Sequence, residues 1–452
     1  MKDTSFRRFA PFVTLVILGS SCLDPVREEI SQATQAAKDT TVCTGCPDAW
    51  SSKQGFVVHE WGTLTLVLGS DGTVLPGLHH EAEDLPLFVT DRLANAASLQ
   101  SYGVAPALSK METPVTYFYS PVPRTVSARV RFPHGLLTQW YPEVKKFTPE
   151  VFGSVANPRD SWSLRYCSIG AYPEQSELDW GTFDVLGREA KLEAPSNPGL
   201  TWDFARGADS NVLSVPVAGK LAQREKFLFY RGLSEAPPAF RPTFEGERVV
   251  LQNDEALPRG GLLLMNVTKN GAGVTVVGDL ASGERKVLDV PAPELEHSAF
   301  VERLRSLLTA RLVAAGLYAD EANSMVNTWE RSYFLTPGVR LLYLLPQREL
   351  ETMLPLDITP KPDATVRAMV IRLELQPPSR EAELLNWSYE LANPATADAA
   401  RAKFLALGRF AEPLLTRTIE LTPTDADARK LAEWNLMSTV QNERRWAPVT
   451  AE

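Results

Sequence analysis

The chain has 452 residues, 44% hydrophobic and 22% charged, with 46 lysines and arginines against 55 aspartates and glutamates and a net charge of -9. That length supports two or three domains with a buried core, and the composition is that of a folded protein, not a disordered one. No basic block follows the first residues, which excludes non-specific binding to nucleic acid; no nucleic-acid partner is expected.

The first residues carry an address. Lys2, Arg7 and Arg8 precede an apolar run from Phe9 to Gly19, and the small residues Gly19, Ser20 and Ser21 precede Cys22. This is the layout of a signal peptide over 1 to 21, too short to remain as a spanning helix. Small residues directly before a cysteine resemble the bacterial lipobox, although Gly19 stands where leucine is usual. The expectation is a lipidated Cys22 that anchors an exported protein to the membrane of the cell envelope, with ordinary cleavage and a free Cys22 as the alternative. Residues 22 to 54 read as a polar tether. Cys43-Thr44-Gly45-Cys46 is open to three readings: a redox pair, half of a zinc site, or a local disulfide between Cys43 and Cys46. The last fits an oxidising compartment best.

From 55 to 378 the chain predicts a β-rich body. Residues 57 to 68 alternate as a strand, and Asp71-Gly72 followed by Thr73-Val74-Leu75 predicts a hairpin. A helix is expected over 84 to 99. Residues 115 to 119 and 125 to 132 predict a second strand pair joined through Pro121 and Pro123. Short strand-like runs then recur at 164 to 172, 182 to 186, 211 to 217, 226 to 230, 248 to 252, 262 to 268, 274 to 279 and 285 to 290, as in an antiparallel sandwich. After Pro291 and Pro293 the period changes: Phe300, Leu304, Leu307, Leu308 and Leu312 predict one helix, and Asp320 opens another. Strand character returns at 339 to 345 and 365 to 375, so the helix pair, about 296 to 333, is expected to pack on the sheet. From 379 to 452 three short helices are expected, at 401 to 407, 410 to 421 and 425 to 437. They resemble one HEAT-type repeat, too little for a solenoid and enough for a helical cap. The fold class is thus α+β: a β-rich antiparallel sandwich-like body, packed helices and a C-terminal helical cap.

The chemistry concentrates in one stretch, where three of the five histidines lie beside carboxylates: His59-Glu60 and His79-His80-Glu81, with Glu112 downstream. Imidazole and carboxylate ligands suit zinc or iron, and the thioether of Met111 would add copper. The candidate metal set is His59, His79, His80, Glu81 and Glu112, with His134 at its margin. Strand alternation puts His59 and Glu60 on opposite faces, so one of the two enters any given site. Adjacent His79 and His80 converge only if they lie in a loop. Hydrolase elbows, the zinc-helix motif and the phosphate and dinucleotide loops are all absent from the sequence. Trp61, Trp140 and Tyr117 are candidate aromatics for a glycan or an envelope protein partner, a reading that requires them to be exposed.

His59-Glu60-Trp61-Gly62-Thr63, Met111-Glu112-Thr113-Pro114, Tyr117-Phe118-Tyr119, Trp140-Tyr141-Pro142, Phe229-Tyr230-Arg231-Gly232 and Leu354-Pro355-Leu356 together resemble an uncharacterised family of exported bacterial proteins. The resemblance implies a shared fold across most of the mature chain and carries no catalytic residue. The expected role is binding or structural at the envelope, with a metal-dependent hydrolase or oxidoreductase centred on His59 and His79/His80 as the alternative.

Overall fold

The computed structural model describes residues 55–81, 85–92, 107–149, 172–192 and 201–442. The leader, Cys22, the Cys43 and Cys46 pair, and nearly all of the strand expected at 164 to 172 lie outside them. In chain order the strands are β1 (Val57–Leu68), β2 (Thr90–Asp91), β3 (Ser109–Met111), β4 (Val115–Tyr119), β5 (Arg124–Pro133), β6 (Gly135–Tyr141), β7 (Lys146–Thr148), β8 (Gln175–Val185), β9 (Leu213–Val215) and β10 (Gln223–Glu225). They continue with β11 (Phe227–Ser234), β12 (Thr243–Glu245), β13 (Arg248–Gln252), β14 (Arg259–Thr268), β15 (Gly271–Leu280), β16 (Arg285–Leu288), β17 (Gly338–Leu345), β18 (Leu356–Thr359) and β19 (Ala364–Leu375). The helices are α1 (Thr201–Ala205), α2 (His297–Ala314), α3 (Ala319–Phe334), α4 (Gln347–Met353), α5 (Pro378–Leu391), α6 (Ala397–Leu405), α7 (Ala411–Leu421) and α8 (Asp427–Asn442).

A ten-stranded sheet organises the molecule, in the order β15-β14-β17-β19-β1-β3-β11-β6-β2, with β4 pairing both β1 and β11. β1 lies near its middle and is buried along its whole length. Because side chains alternate, its two faces meet different layers. Val58, Leu64, Leu66 and Leu68 pack toward a six-stranded sheet through Val126, Val130, Leu178 and Trp180, and toward a three-stranded sheet through Val249 and Leu251. Val57 and Trp61 pack the other way, against α2 and α3 through Phe300, Leu304, Met325 and Trp329. The result is an α+β fold with a β-rich sandwich and a helix pair on one outer face. Beyond Pro377 the helices α5 to α8 form a cap. Its apolar side chains Phe404, Leu414, Leu415 and Val440 close on Val67, Leu75 and Leu78, where β1 ends and its hairpin begins.

The expected hairpin forms: the Gly69 N–H donates to Thr73 O at 2.9 Å and Leu68 bridges Val74. Three expectations are corrected. The longest pairing of β1 is parallel, with β19, in full register from Val57 opposite Ala364 to Leu68 opposite Leu375, so the main sheet is mixed and not purely antiparallel. β4 and β5 do not pair with each other. β4 joins the main sheet and β5 pairs β8 and β18 in the second, so Ser120 to Pro123 crosses between layers. Residues 85–92 are turn and short strand, not helix, and the rest of the 84 to 99 segment lies outside the described residues.

Candidate functional site

Four buried polar groups sit around β1, and the alternation of that strand sorts them. Glu60 points into the sandwich, where its carboxylate is fully used. Oε1 accepts Arg367 Nε at 2.9 Å and Nη2 at 2.6 Å, while Oε2 accepts the Thr116 hydroxyl at 2.9 Å and the Tyr230 hydroxyl at 2.6 Å. Arg367 Nη1 closes the group on Leu354 O. Every oxygen lone pair has a donor, as a buried carboxylate requires.

His59 points to the helix layer. Its Nδ1–H donates to Glu321 Oε2 at 2.8 Å, and the same carboxylate accepts the Tyr119 hydroxyl and the Tyr318 backbone N–H. Glu321 lies in the first turn of α3, so the group ties the start of that helix to β1. Burial, with the Glu321 charge adding, pushes the Tyr119 hydroxyl well above its ordinary pKa, so it stays a donor. On the same face as His59, Trp61 is buried against Tyr117. A Cβ on Gly62 would stand 2.9 Å from Thr113 O, which is why this position is glycine. His59 thus ties β1 to the helix layer, and Glu60 ties β1 to β4, β11 and β19 within the main sheet.

The third group lies at the junction of sheet and cap. His79 and His80 occupy the turn after the hairpin, and their rings lie 4.1 Å apart between centroids, tilted by 31°. Glu412, from the first turn of α7, brings Oε2 to 2.8 Å from His80 Nε2 and 3.4 Å from His79 Nδ1. One ligand atom from each of the three lies within 4.8 Å of the others. Gln441 donates to the other oxygen, Glu412 Oε1, at 3.3 Å. The turn is shaped to admit this carboxylate: Gly77 has φ +112, and a Cβ there would lie 2.6 Å from Glu412 Cγ. Lys110 holds the turn by donating to His79 O and His80 O, and Glu81 balances its charge at 2.9 Å.

The fourth group adjoins it. Glu112 Oε2 accepts Thr65 Oγ1 at 3.0 Å, and its Oε1 pairs with Arg409 of the cap. Burial alone would raise the Glu112 carboxyl, yet the charges of Arg409, Lys110 and Arg372 hold it below the ordinary carboxylate range.

The candidate metal set thus divides. The structure brings His79 and His80 together and adds Glu412, which stands 332 positions after His80 and carries no local signal. His59 is taken by Glu321, Glu81 by Lys110 and Arg231, and Glu112 by Arg409. Met111 belongs to the sandwich core, which removes the thioether that would have favoured copper. His134, the only non-glycine residue with positive φ among the described residues, lines a separate cavity of about 760 Å³ with Pro237, Pro238 and Met353. The aromatic candidates are also corrected: Trp61, Trp140 and Tyr117 are 0%, 2% and 0% exposed, so none offers a stacking face. Trp180 and Trp202 are buried as well.

No family model matches the chain, and no curated protein matches it. Among solved structures, the Fcho1 mu homology domain of Danio rerio with bound Eps15 peptide is similar at 7% identity and a TM-score of 0.26, over 72% of this chain and 99% of that one. The yeast delta-COP-I mu-homology domain complexed with Dsl1 WxWxV peptide is similar at 8% identity and a TM-score of 0.24, over 71% of this chain and 98% of that one.

Proposed function

We propose that the protein is an exported envelope protein, anchored to the membrane through Cys22, that binds a divalent transition metal between its β-rich body and its cap. Export and anchoring are supported by the leader and the small residues before Cys22. The metal reading is carried by the convergence of His79, His80 and Glu412 at one point. Two imidazoles and one carboxylate suit zinc or ferrous iron. Donors about 2.0–2.1 Å from a tetrahedral ion stand about 3.3 Å apart. The His79 to Glu412 separation of 3.4 Å meets that spacing, and the 2.8 Å hydrogen bond from His80 opens by about half an ångström as the ion replaces its proton. Gln441 supplies the outer hydrogen bond that orients a ligating carboxylate.

His80 and Glu412 are buried and the triad joins two layers, so the role that fits is structural: the ion fastens the cap to the body. Trp61, Trp140 and Tyr117 are buried and offer no face to a glycan, and the binding role proposed here rests on the metal. Elemental analysis of protein purified without chelator, before and after equilibration with zinc, tests this. About one equivalent is expected in the wild type and in His59→Ala, and a loss in His80→Ala and Glu412→Gln. A wild type holding less than about a tenth of an equivalent after equilibration would sink the reading.

A further inference from the structure

Across the helix-facing side of the main sheet, at the cap end, runs a row of polar residues in register: Lys110, Thr65 and Arg372 lie abreast on β3, β1 and β19. In the next row Arg340 on β17 faces Glu374 on β19. Arg409 and Phe410 come down on them from the cap. Four cations, Lys110, Arg340, Arg372 and Arg409, are buried here with two carboxylates, Glu112 and Glu374.

The hydrogen bonds show which cations are committed. Lys110 is spent on two carbonyls and Glu81. Arg340 gives both Nη groups to the last carbonyls of α3 and its flank, Tyr333 O and Thr336 O, and its Nε lies 3.0 Å from Glu374. Arg409 gives Nη1 to Glu112, and its Nη2 is buried without a partner. Arg372 gives only Nε, to Glu374 at 2.6 Å; its Nη1 and Nη2 are both buried without a partner. Its guanidinium lies 4.6 Å from the Tyr333 ring and 5.4 Å from the Phe410 ring. Arg409 lies 5.0 Å from that same Phe410 ring.

Three charged nitrogens buried without acceptors, on two arginines that both lie within 5.4 Å of the Phe410 ring, are costly unless an acceptor comes to them. A guanidinium held at Nε and against aromatic faces offers its remaining edge as a planar fork, the shape that takes two oxygens of an oxyanion. We propose that Arg372 and Arg409 form a binding site for a small tetrahedral oxyanion, phosphate or sulfate, at the junction of the sheet and the cap. Both arginines are buried, which selects a free ion over a lipid headgroup or a phosphorylated chain. The net positive surplus of the cluster supplies the sign: with Lys110 balanced by Glu81, three arginines face two carboxylates. The site is independent of the metal: it uses other side chains and needs no ion at His79, His80 and Glu412.

The test is thermal unfolding of the whole purified protein with chelator present, titrated with inorganic phosphate and, at matched ionic strength, with sodium chloride. A saturable rise in Tm is expected with phosphate and not with chloride. It is expected to vanish in Arg372→Met and Arg409→Met and to persist in Arg248→Met, which removes an exposed cation elsewhere. A phosphate response equal to that of chloride, or one that persists in either junction variant, overturns the proposal. A response to glycerol phosphate as strong as to phosphate overturns the free-ion assignment. Should neither variant fold, amide exchange of the wild type decides: phosphate must slow exchange at Tyr333, Arg372 and Phe410, and protection confined to other regions overturns the site.

Discussion

Arg367 and Arg372 lie five residues apart on β19, both buried, on opposite faces of the same sheet. Arg367 meets a partner at every atom it offers: Nε and Nη2 on Glu60, Nη1 on Leu354 O. Arg372 meets one, through Nε, and leaves two nitrogens without acceptors. The first belongs to a finished network that joins β1, β4, β11 and β19 of the main sheet and the Leu354 carbonyl. The second belongs to a network with donors to spare. Burial of charge alone therefore does not distinguish architecture from a ligand site; the count of completed hydrogen bonds does.

The largest expected effect comes from opening the finished network. Arg367→Met leaves Glu60 buried with two hydroxyl donors and no counter-charge, and breaking such a pair costs about 3–5 kcal/mol. Chemical denaturation should show a loss of that size. A double variant, Glu60→Met with Arg367→Met, should recover part of it, because no charge is then stranded. Next in size is His59→Phe, which keeps the ring packed against Tyr119 and Tyr318 but removes one donor from Glu321. A loss of about 1–3 kcal/mol is expected, with faster amide exchange at the start of α3.

Acid probes the junction as a whole. The carboxyls of Glu112 and Glu374 are held below their ordinary 4.5: burial would raise both, and the neighbouring arginines, with Lys110 at Glu112, more than offset it. A carboxyl whose folded pKa is depressed contributes stability that is fully present above the unfolded value and is lost as pH falls through the folded one. Protection of α7 and of the β1 hairpin should therefore fall as pH drops below about 4.5, with the cap loosening from the sheet as the two carboxylates that balance its arginine are protonated. Protection factors in the cap, with each rate taken relative to the intrinsic rate at its own pH, that stay constant from pH 6 to pH 3 would contradict this.

Much of this arrangement was legible in the residues, by one rule. Strand alternation separates His59 from Glu60 before any coordinates, and the change of period after Pro293 marks the helix pair. Alternation fails for partners brought together by the fold. Nothing near His80 announces Glu412, and nothing near Val57 announces the parallel pairing with Ala364, 307 positions on. The proline-bounded link between β4 and β5 reads as a hairpin because turn chemistry is local, while the choice of sheet is decided by which apolar face each strand must cover. One signal for the arginine site did exist. From Val366 onward β19 is buried and apolar except for Arg367, Arg372 and Glu374, and ionisable residues in a buried strand demand partners from elsewhere in the chain.

The smallest expected effect tests the comparison most directly. Arg372→Met removes one hydrogen bond to Glu374 and the contact with Tyr333, while Glu374 keeps Arg340 at 3.0 Å. It also removes a buried charge with two unanswered nitrogens, and a methionine fills similar volume with flexible, apolar bulk. These contributions oppose each other, so in phosphate-free buffer the change in stability should stay within about 1 kcal/mol, against 3–5 for Arg367→Met. In saturating phosphate the wild type gains and the variant does not, and the gap between them should widen. If Arg372→Met instead costs as much as Arg367→Met in phosphate-free buffer, then Arg372 is as fully supported within the protein as its neighbour five residues away, and the difference between the two networks disappears.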